Sequence, residues 1–497
     1  MLFNSLDFMI FFPAAVLGYY ILPRKIRYIW LLVCSYYFYM SWNPLYALLI
    51  LTSTILTYLG SRIIGSRKMT SLSVRGKKCV LALVILANLG ILIYFKYSNF
   101  FLSLLEYLSR KFYIVLSIPK VDVLLPVGIS FYTFQALSYS IDVYRGEILP
   151  EKNLLKYALF VSFFPQLVAG PVERSKNLLT QIQTIPDRKA DPEKIFHGLL
   201  YMLWGLFLKM VIAGRIEILV NTVFDSYYRM GGVELIAGAI GFALQIYCDF
   251  ASYSTIAMGT AEVLGFTLME NFDAPYLSGS IKEFWRRWHI SLSSWFRDYL
   301  YIPLGGSRCS KARYYRNLLV TFLVSGLWHG AGLHYVVWGG IHGLYQIVGD
   351  LIAPLKNRVL IRFHVRTQCF SYRFGQIFTT FLLTDFAWIF FRSPNLDAAL
   401  GYIRNIVQNF DPWVLFNGRL YKLGIDRFDM NVLLVSIALL VSSDILKYFR
   451  KISIVDFLLK QNVLFQYLCI AGMLLAIFIY GAYGPAFDAQ AFLYFQF

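Results

Sequence analysis

The sequence predicts an all-α polytopic membrane protein with about a dozen transmembrane helices plus re-entrant and interfacial helices. Three observations carry that prediction. Composition is the first: 58% of residues are apolar, 18% aromatic and only 15% charged, with a mean hydropathy of +0.57. Apolar windows recur along nearly the whole chain, and the basic residues fall into short stretches between them.

Taken in order, the windows are Phe8 to Leu22, Ile29 to Tyr39, Leu45 to Gly60, Val80 to Tyr94, Val123 to Ile141 and Leu155 to Val168. They continue with Leu199 to Ile212, Leu235 to Leu264, Leu318 to Leu351, Phe374 to Phe391, Val432 to Leu446 and Val463 to Tyr483. A bilayer core about 30 Å thick needs roughly 20 mostly apolar residues per spanning helix. Several windows are shorter and read as half-helices, which a membrane accepts only where protein or a cavity covers the irregular backbone. The first window is read as a retained span and not a secretory signal, because Asp7 and no Lys or Arg precede it and Pro13 interrupts it. Arg24, Lys25 and Arg27 follow it, none lie in Ser41 to Pro44, and the next loop holds Arg62, Arg67, Lys68, Arg75, Lys77 and Lys78. The positive-inside rule therefore puts the amino terminus outside. Beyond Lys96, the charges Glu106, Arg110 and Lys111 suggest a segment along the interface.

No internal repeat, low-complexity tract or long linker divides the chain, so residues 1–497 read as one integral-membrane domain. Within it, 1–122 form amino-terminal spans, 123–350 a catalytic core, and 351–497 carboxy-terminal spans with an aromatic tail. The net charge of +18 is spread over inter-helix loops, which suits anionic membrane lipid and leaves no groove for nucleic acid. Cys34, Cys79, Cys248, Cys309, Cys369 and Cys469 lie far apart without a CxxC pair, so neither a disulfide framework nor a zinc site is expected. HExxH, HxxxH, HxxHH, GxSxG and P-loop patterns are missing as well.

Ionisable groups at membrane depth are costly and usually functional. His329, in SGLWHGAG, is the leading candidate: Gly326, Gly330 and Gly332 allow close backbone approach and a helix break at the histidine itself. A buried imidazole is biased toward the neutral form that a general base requires. His289 stands about 40 residues earlier, in FWRRWHISLS. Its surroundings, Ile281 to Leu300, read as an amphipathic helix in which Phe284, Trp288, Leu292, Trp295 and Tyr299 recur at three- and four-residue steps. Pro303, Gly305 and Gly306 end that helix in a turn. His334 and His342 read as structural, His197 and His364 as incidental. Asp249, in IYCDFASYS, is either a cavity-lining structural partner or part of a proton path, and Trp328 lines the same cavity. The stretch FFPQLVAGPVER, Phe163 to Arg174, is either a broken helix at a cavity or a span terminus, and the tail FLYFQF a hydrophobic plug.

The runs FFPQLVAGPVER, YCDFASYSTIAMGTAEVLGF, ENFDAPYLSGSIKEFWRRWHISLSSWFRDYLYIPLGG and NLLVTFLVSGLWHGAG closely resemble the membrane-bound O-acyltransferases of the bacterial alginate O-acetylation and D-alanyl transfer branch. The likeness is strong from Val123 to about Tyr345. It implies a helical enclosure around a central cytosolic funnel in the bacterial cytoplasmic (inner) membrane. His329 then matches the family's essential histidine, as base or hydroxyl-orienting group, and His289 its second, positioning or polarising the thioester carbonyl. The acyl donor would be acetyl-CoA or an acyl-carrier thioester, with no bound cofactor and no metal. Arg286, Arg287 and Arg297 would either meet donor phosphates or anchor the interface. Tyr494 in the tail would relay the acyl group to a secreted or membrane-anchored SGNH-type partner acting on a polysaccharide acceptor. The resemblance favours acetyl over D-alanyl transfer. A polymer or lipid-precursor transporter with histidine proton relays is the alternative from another class.

Overall fold

The computed structural model describes residues 1–65, 73–113, 119, 126–168, 170–185 and 189–483. Among the described residues it is all-helical, with no strand. Seven helices are long and apolar enough to cross a bilayer. Several expected windows fold into shorter or more polar helices instead. Contacts group the chain into two compact units, Met1–Met202 with Ile256–Met269, and Leu203–Thr255 with Glu270–Phe497.

The first unit opens with α1 (Leu6–Ile21) and α2 (Arg27–Met40). At about 1.5 Å per residue both fall short of a full apolar crossing. Ser5 caps α1 by accepting from Phe8 N–H at 3.3 Å, a partner the first turn otherwise lacks. Two spans follow, α3 (Tyr46–Ile64) and α4 (Val74–Lys111). The latter runs straight through Lys96, Glu106 and Arg110 where an interfacial segment was expected. Its 38 residues rise roughly 57 Å, so helix geometry places part of it beyond the apolar core. Then come α5 (Ile129–Arg145), α6 (Leu154–Ser162), the one-turn α7 (Phe164–Leu167) and α8 (Thr180–Gln183). The window Val123 to Ile141 thus begins as helix only at Ile129, residues 123–125 being outside the described set.

Small polar side chains join these helices where a soluble protein would use aliphatic ones. Ser53 donates to Asn88 between α3 and α4 at 2.6 Å, and Tyr157 to Thr57 between α6 and α3 at 2.7 Å. Gln166 on α7 donates to Gln135 on α5 at 2.8 Å, and Phe164 N–H donates to Ser35 on α2 at 3.1 Å. With no water nearby, such bonds hold helices together at about 1 kcal/mol each. The chain continues into α9 (Pro192–Phe207), α10 (Gly214–Asp225) and α11 (Gly232–Val263). Gly198 on α9 and Gly259 on α11 let the two backbones touch, since a Cβ on either would overlap the other's carbonyl.

The stretch around Glu173 is a broken helix: α7 ends at Leu167, residues 170–174 are not helical, and a single π-turn covers Ser175–Leu179. Glu173 is fully buried and accepts Met269 N–H at 2.5 Å and Asn177 Nδ2 at 2.8 Å. Burial pushes its carboxyl up from 4.5 to about 7, beyond what these donors and Arg174 offset. A folded-state pKa above the unfolded one contributes stability that is complete below pH 4.5 and is lost as pH rises through about 7. Glu173→Gln, which keeps the acceptor and removes the titration, is expected to raise Tm by several degrees at pH 8 and leave it nearly unchanged at pH 5. Thermal scans of the purified protein at the two pH values check this.

Candidate active site

The second unit carries both candidate histidines. After Glu270 an irregular segment leads to α12 (Ile281–Arg287), capped by Ser280, and α13 (Ile290–Phe296). The single amphipathic helix expected from Ile281 to Leu300 is therefore divided at Trp288 and His289, and its last turn is a π-helix over Arg297–Tyr301. The cause of the break is Asn271. Its carbonyl accepts Ile290 N–H at 3.0 Å, the proton an unbroken helix would give to Arg286, while Asp273 N–H donates to the Arg287 carbonyl at 3.0 Å. The Asn271 side chain completes the clamp, accepting from Ser291 Oγ at 2.6 Å and donating to Ser254 Oγ on α11 at 2.8 Å. Held this way, His289 takes a left-handed conformation, φ 44°, ψ 54°. For a residue with a bulky Cβ that is a strained geometry, sustained only when its surroundings over-determine it.

His329 is the last residue of α14 (Lys311–His329), and α15 (Leu333–Arg362) starts three residues beyond the break at Gly330. The apolar window Leu318 to Leu351 is thus two antiparallel helices and not one span. Their close approach explains the glycines: a Cβ at Gly326 would overlap the Tyr335 carbonyl, one at Gly339 the Phe322 carbonyl, and one at Gly330 the Tyr335 ring. The chain then adds α16 (Phe370–Arg392), α17 (Leu396–Gln408), α18 (Arg427–Arg450), α19 (Ile454–Leu459) and α20 (Val463–Tyr480).

These two helix breaks bring the imidazoles together, with ring centroids 6.4 Å apart. Both are buried, His289 at 1% and His329 at 4% exposure. Their enclosure is aromatic. His329 meets Trp328, Trp338 and Phe391 edge-on at 4.9, 5.1 and 5.4 Å, and His289 meets Phe250 at 4.6 Å. Trp328 touches both rings, standing 6.1 Å from His289. Burial pushes the His289 imidazole down to about 3, so it stays neutral throughout the physiological range.

The other candidates are placed differently. Asp249 pairs with Lys209, which lies in a π-helical stretch of Leu208–Ala213 between α9 and α10 and stands 5.6 Å from the centre of the Tyr253 ring. The Arg287 guanidinium is committed to Asp273 and Glu283, each at 2.9 Å, beneath the Tyr448 ring. Arg297 pairs with its neighbour Asp298 at 2.8 Å, and Arg286 is exposed. His342 accepts the Trp285 indole N–H at 3.2 Å, His197 pairs with Glu262 at 2.8 Å in the first unit, and His364 lies in a turn after α15. Tyr494 lies outside the described residues. Sequence reasoning missed Asn271 and Lys209. The only sequence signal was a lone lysine inside an apolar window, Lys209 within Leu199 to Ile212; Asn271 had none.

The family model of the membrane-bound O-acyltransferases matches residues 149–387, a range that contains both imidazoles and the Asn271 clamp. The chain is 39% identical over 405 residues to the probable alginate O-acetylase AlgI of Pseudomonas aeruginosa, covering 80% of this chain and 73% of that one. The chain belongs to the membrane-bound O-acyltransferase family. It is also 32% identical over 440 residues to the peptidoglycan O-acetyltransferase of Helicobacter pylori, covering 82% of this chain and 80% of the relative. A teichoic acid D-alanyltransferase of Streptococcus thermophilus is 30% identical over 244 residues, 47% of this chain and 59% of its own length. The protein is therefore a membrane O-acyltransferase.

Two expectations follow from this geometry. Asn271→Leu strands the Ser254 and Ser291 hydroxyls and releases the backbone at His289, which should cut turnover at least about tenfold well below Tm, with little change in donor KM; steady-state kinetics test it. Asp249→Ala leaves the Lys209 cation in the interior and should cost about 3–5 kcal/mol, whereas Lys209→Met with Asp249→Leu should recover most of that loss. Comparing thermal unfolding of the single and double variants decides the second.

Proposed function

We propose that the protein takes an acetyl group from a cytosolic thioester, acetyl-CoA or an acyl-carrier protein, and passes it across the bacterial inner membrane for O-acetylation of an exported polysaccharide. The observation that carries this reading is the meeting of two imidazoles at two helix breaks, 6.4 Å apart inside an aromatic enclosure. Two buried imidazoles this close can serve one reacting group, one as base and the other as hydrogen-bond donor.

In this mechanism His329 accepts the proton of the attacking hydroxyl as its oxygen bonds to the thioester carbonyl carbon. The tetrahedral intermediate collapses by breaking the C–S bond, and the departing thiolate takes the proton back. His289 has a different task. Its neutral N–H is suited to hydrogen-bonding the developing oxyanion. The rigid left-handed backbone at His289 serves that fixed aim.

Acetyl is preferred to D-alanyl because the O-acetylase and O-acetyltransferase relatives align over 80% and 82% of the chain, against 47% for the D-alanyltransferase. The reading extends to about a dozen membrane-embedded helices around a central funnel, a Tyr494 acyl relay, and an SGNH-type partner that completes transfer to the polysaccharide. Exposed Arg286 is available to a donor phosphate, while Arg297 and Arg287 pair with carboxylates.

His329→Ala is expected to lower turnover of radiolabelled acetyl thioester about 10²- to 10⁴-fold in purified, folded protein. A transporter would show no thioester turnover in the wild type, and that result would reject the enzyme mechanism proposed here.

A further inference from the structure

A cleft of about 1,040 Å³ lies between α15, α16 and the first turn of α12. That volume is at the upper limit of the roughly 300–1,000 Å³ usual for small-molecule pockets. Its polarity is graded along the helices. Around the end of α15 and the start of α16 it is lined by Lys356, Asn357, Gln368, Ser371 and Arg373; farther along α16 it reaches Thr380 and Leu383. Lys282 adds a third cation, against the single carboxylate Asp350, which is already bonded by Tyr314 OH at 2.7 Å.

Two glycines keep this space open. Gly349 on α15 and Gly375 on α16 both line the cleft, and a Cβ at either would meet nothing within 4 Å. A helical glycine costs about 1 kcal/mol relative to alanine, and at Gly326 and Gly339 close packing of α14 on α15 offsets that cost. No such contact does so at Gly349 and Gly375. The side of the cleft is apolar and outward-facing: its lining residues Ile352 and Leu383 are exposed, as are Val348, Leu355, Phe374 and Phe378 on the same two helices. Arg358, Arg362 and Arg366 crowd the polar end, which the positive-inside rule assigns to the cytosolic surface.

We propose that this cleft is a binding site for an anionic glycerophospholipid of the cytosolic leaflet. The phosphate rests between Lys356 and Arg373 at the polar end, and an acyl chain follows Ile352 and Leu383 along the apolar side toward α12. Basic pockets between membrane helices at the cytosolic level suit such headgroups, and the apolar, laterally exposed wall distinguishes a lipid from a water-soluble phosphate. The bound lipid braces α15 and α16, the helices that supply Trp338 and Phe391 to the His329 enclosure.

The test is native mass spectrometry of the full-length protein offered equal phosphatidylglycerol and phosphatidylcholine. The wild type should retain phosphatidylglycerol at least about tenfold in excess. Lys356→Gln with Arg373→Gln should abolish the preference, and Gly349→Leu with Gly375→Leu should expel the lipid by filling the cleft. Millimolar coenzyme A should not displace it. Equal retention of the two lipids by the wild type, an unchanged preference in both double variants, or displacement by coenzyme A would each overturn the proposal, the last by assigning the cleft to a soluble phosphate.

Discussion

Both imidazoles stand where a helix stops, and in a membrane protein that placement is a constraint before it is a mechanism. Each break frees backbone N–H and C=O groups, which bilayer lipid cannot satisfy. At His289 the partners come from Asn271 and Asp273, whose backbone groups bond Ile290 N–H and the Arg287 carbonyl. At His329 the chain instead crosses to α15 in three residues with Gly330 and Gly332 extended, and α15 packs so closely on α14 that only glycine fits at Gly326 and Gly339. The two imidazoles meet because each helix break is built in its own way.

The same economy governs the rest of the interior. Apolar side chains gain little from association when lipid is as apolar as the protein, so specificity falls to hydrogen bonds and shape. The Ser53–Asn88, Tyr157–Thr57 and Gln166–Gln135 bonds fix helix partners within the first unit. In the second, the Lys209–Asp249 pair joins the π-helical stretch after α9 to α11. A π-bulge turns a side chain out of the regular helical register and is often found at functional positions. Here it lies on the helix whose partner, α11, also carries Phe250 against His289 and Ser254 against Asn271.

Much of this was legible in the sequence. Hydropathy identified a helical membrane protein, and the glycines of SGLWHGAG pointed to a break at His329. What periodicity could not reveal was the break at His289. Phe284, Trp288, Leu292 and Trp295 keep helical spacing across it because the aromatic side chains on both sides still face one interior. The interrupting agent, Asn271, is remote in sequence, and a long-range backbone bond leaves no local pattern. Helices α14 and α15 likewise fall short of the apolarity of a span, α14 because Lys311, Arg313, Arg316 and Asn317 open it and α15 because histidine, tyrosine and tryptophan line its inner face. At Arg287, where the sequence left donor phosphate and interfacial anchor both open, the fold pairs the guanidinium with two carboxylates.

The contrast between the two histidines is physical and follows from where each is attached. His289 is fixed by strained backbone and by bonds on the residues either side, so its ring has little freedom to follow a moving proton. His329 ends a helix beside a glycine turn, and its ring is confined by the edges of Trp328, Trp338 and Phe391. A group that stabilises charge at one fixed point benefits from rigidity, whereas one that accepts and returns a proton must serve two successive oxygen and sulfur positions. Edge-on aromatic contacts restrain a ring by packing against its perimeter. The two roles proposed for these rings match two helix breaks of different construction, the Asn271 clamp and the Gly330–Gly332 connection.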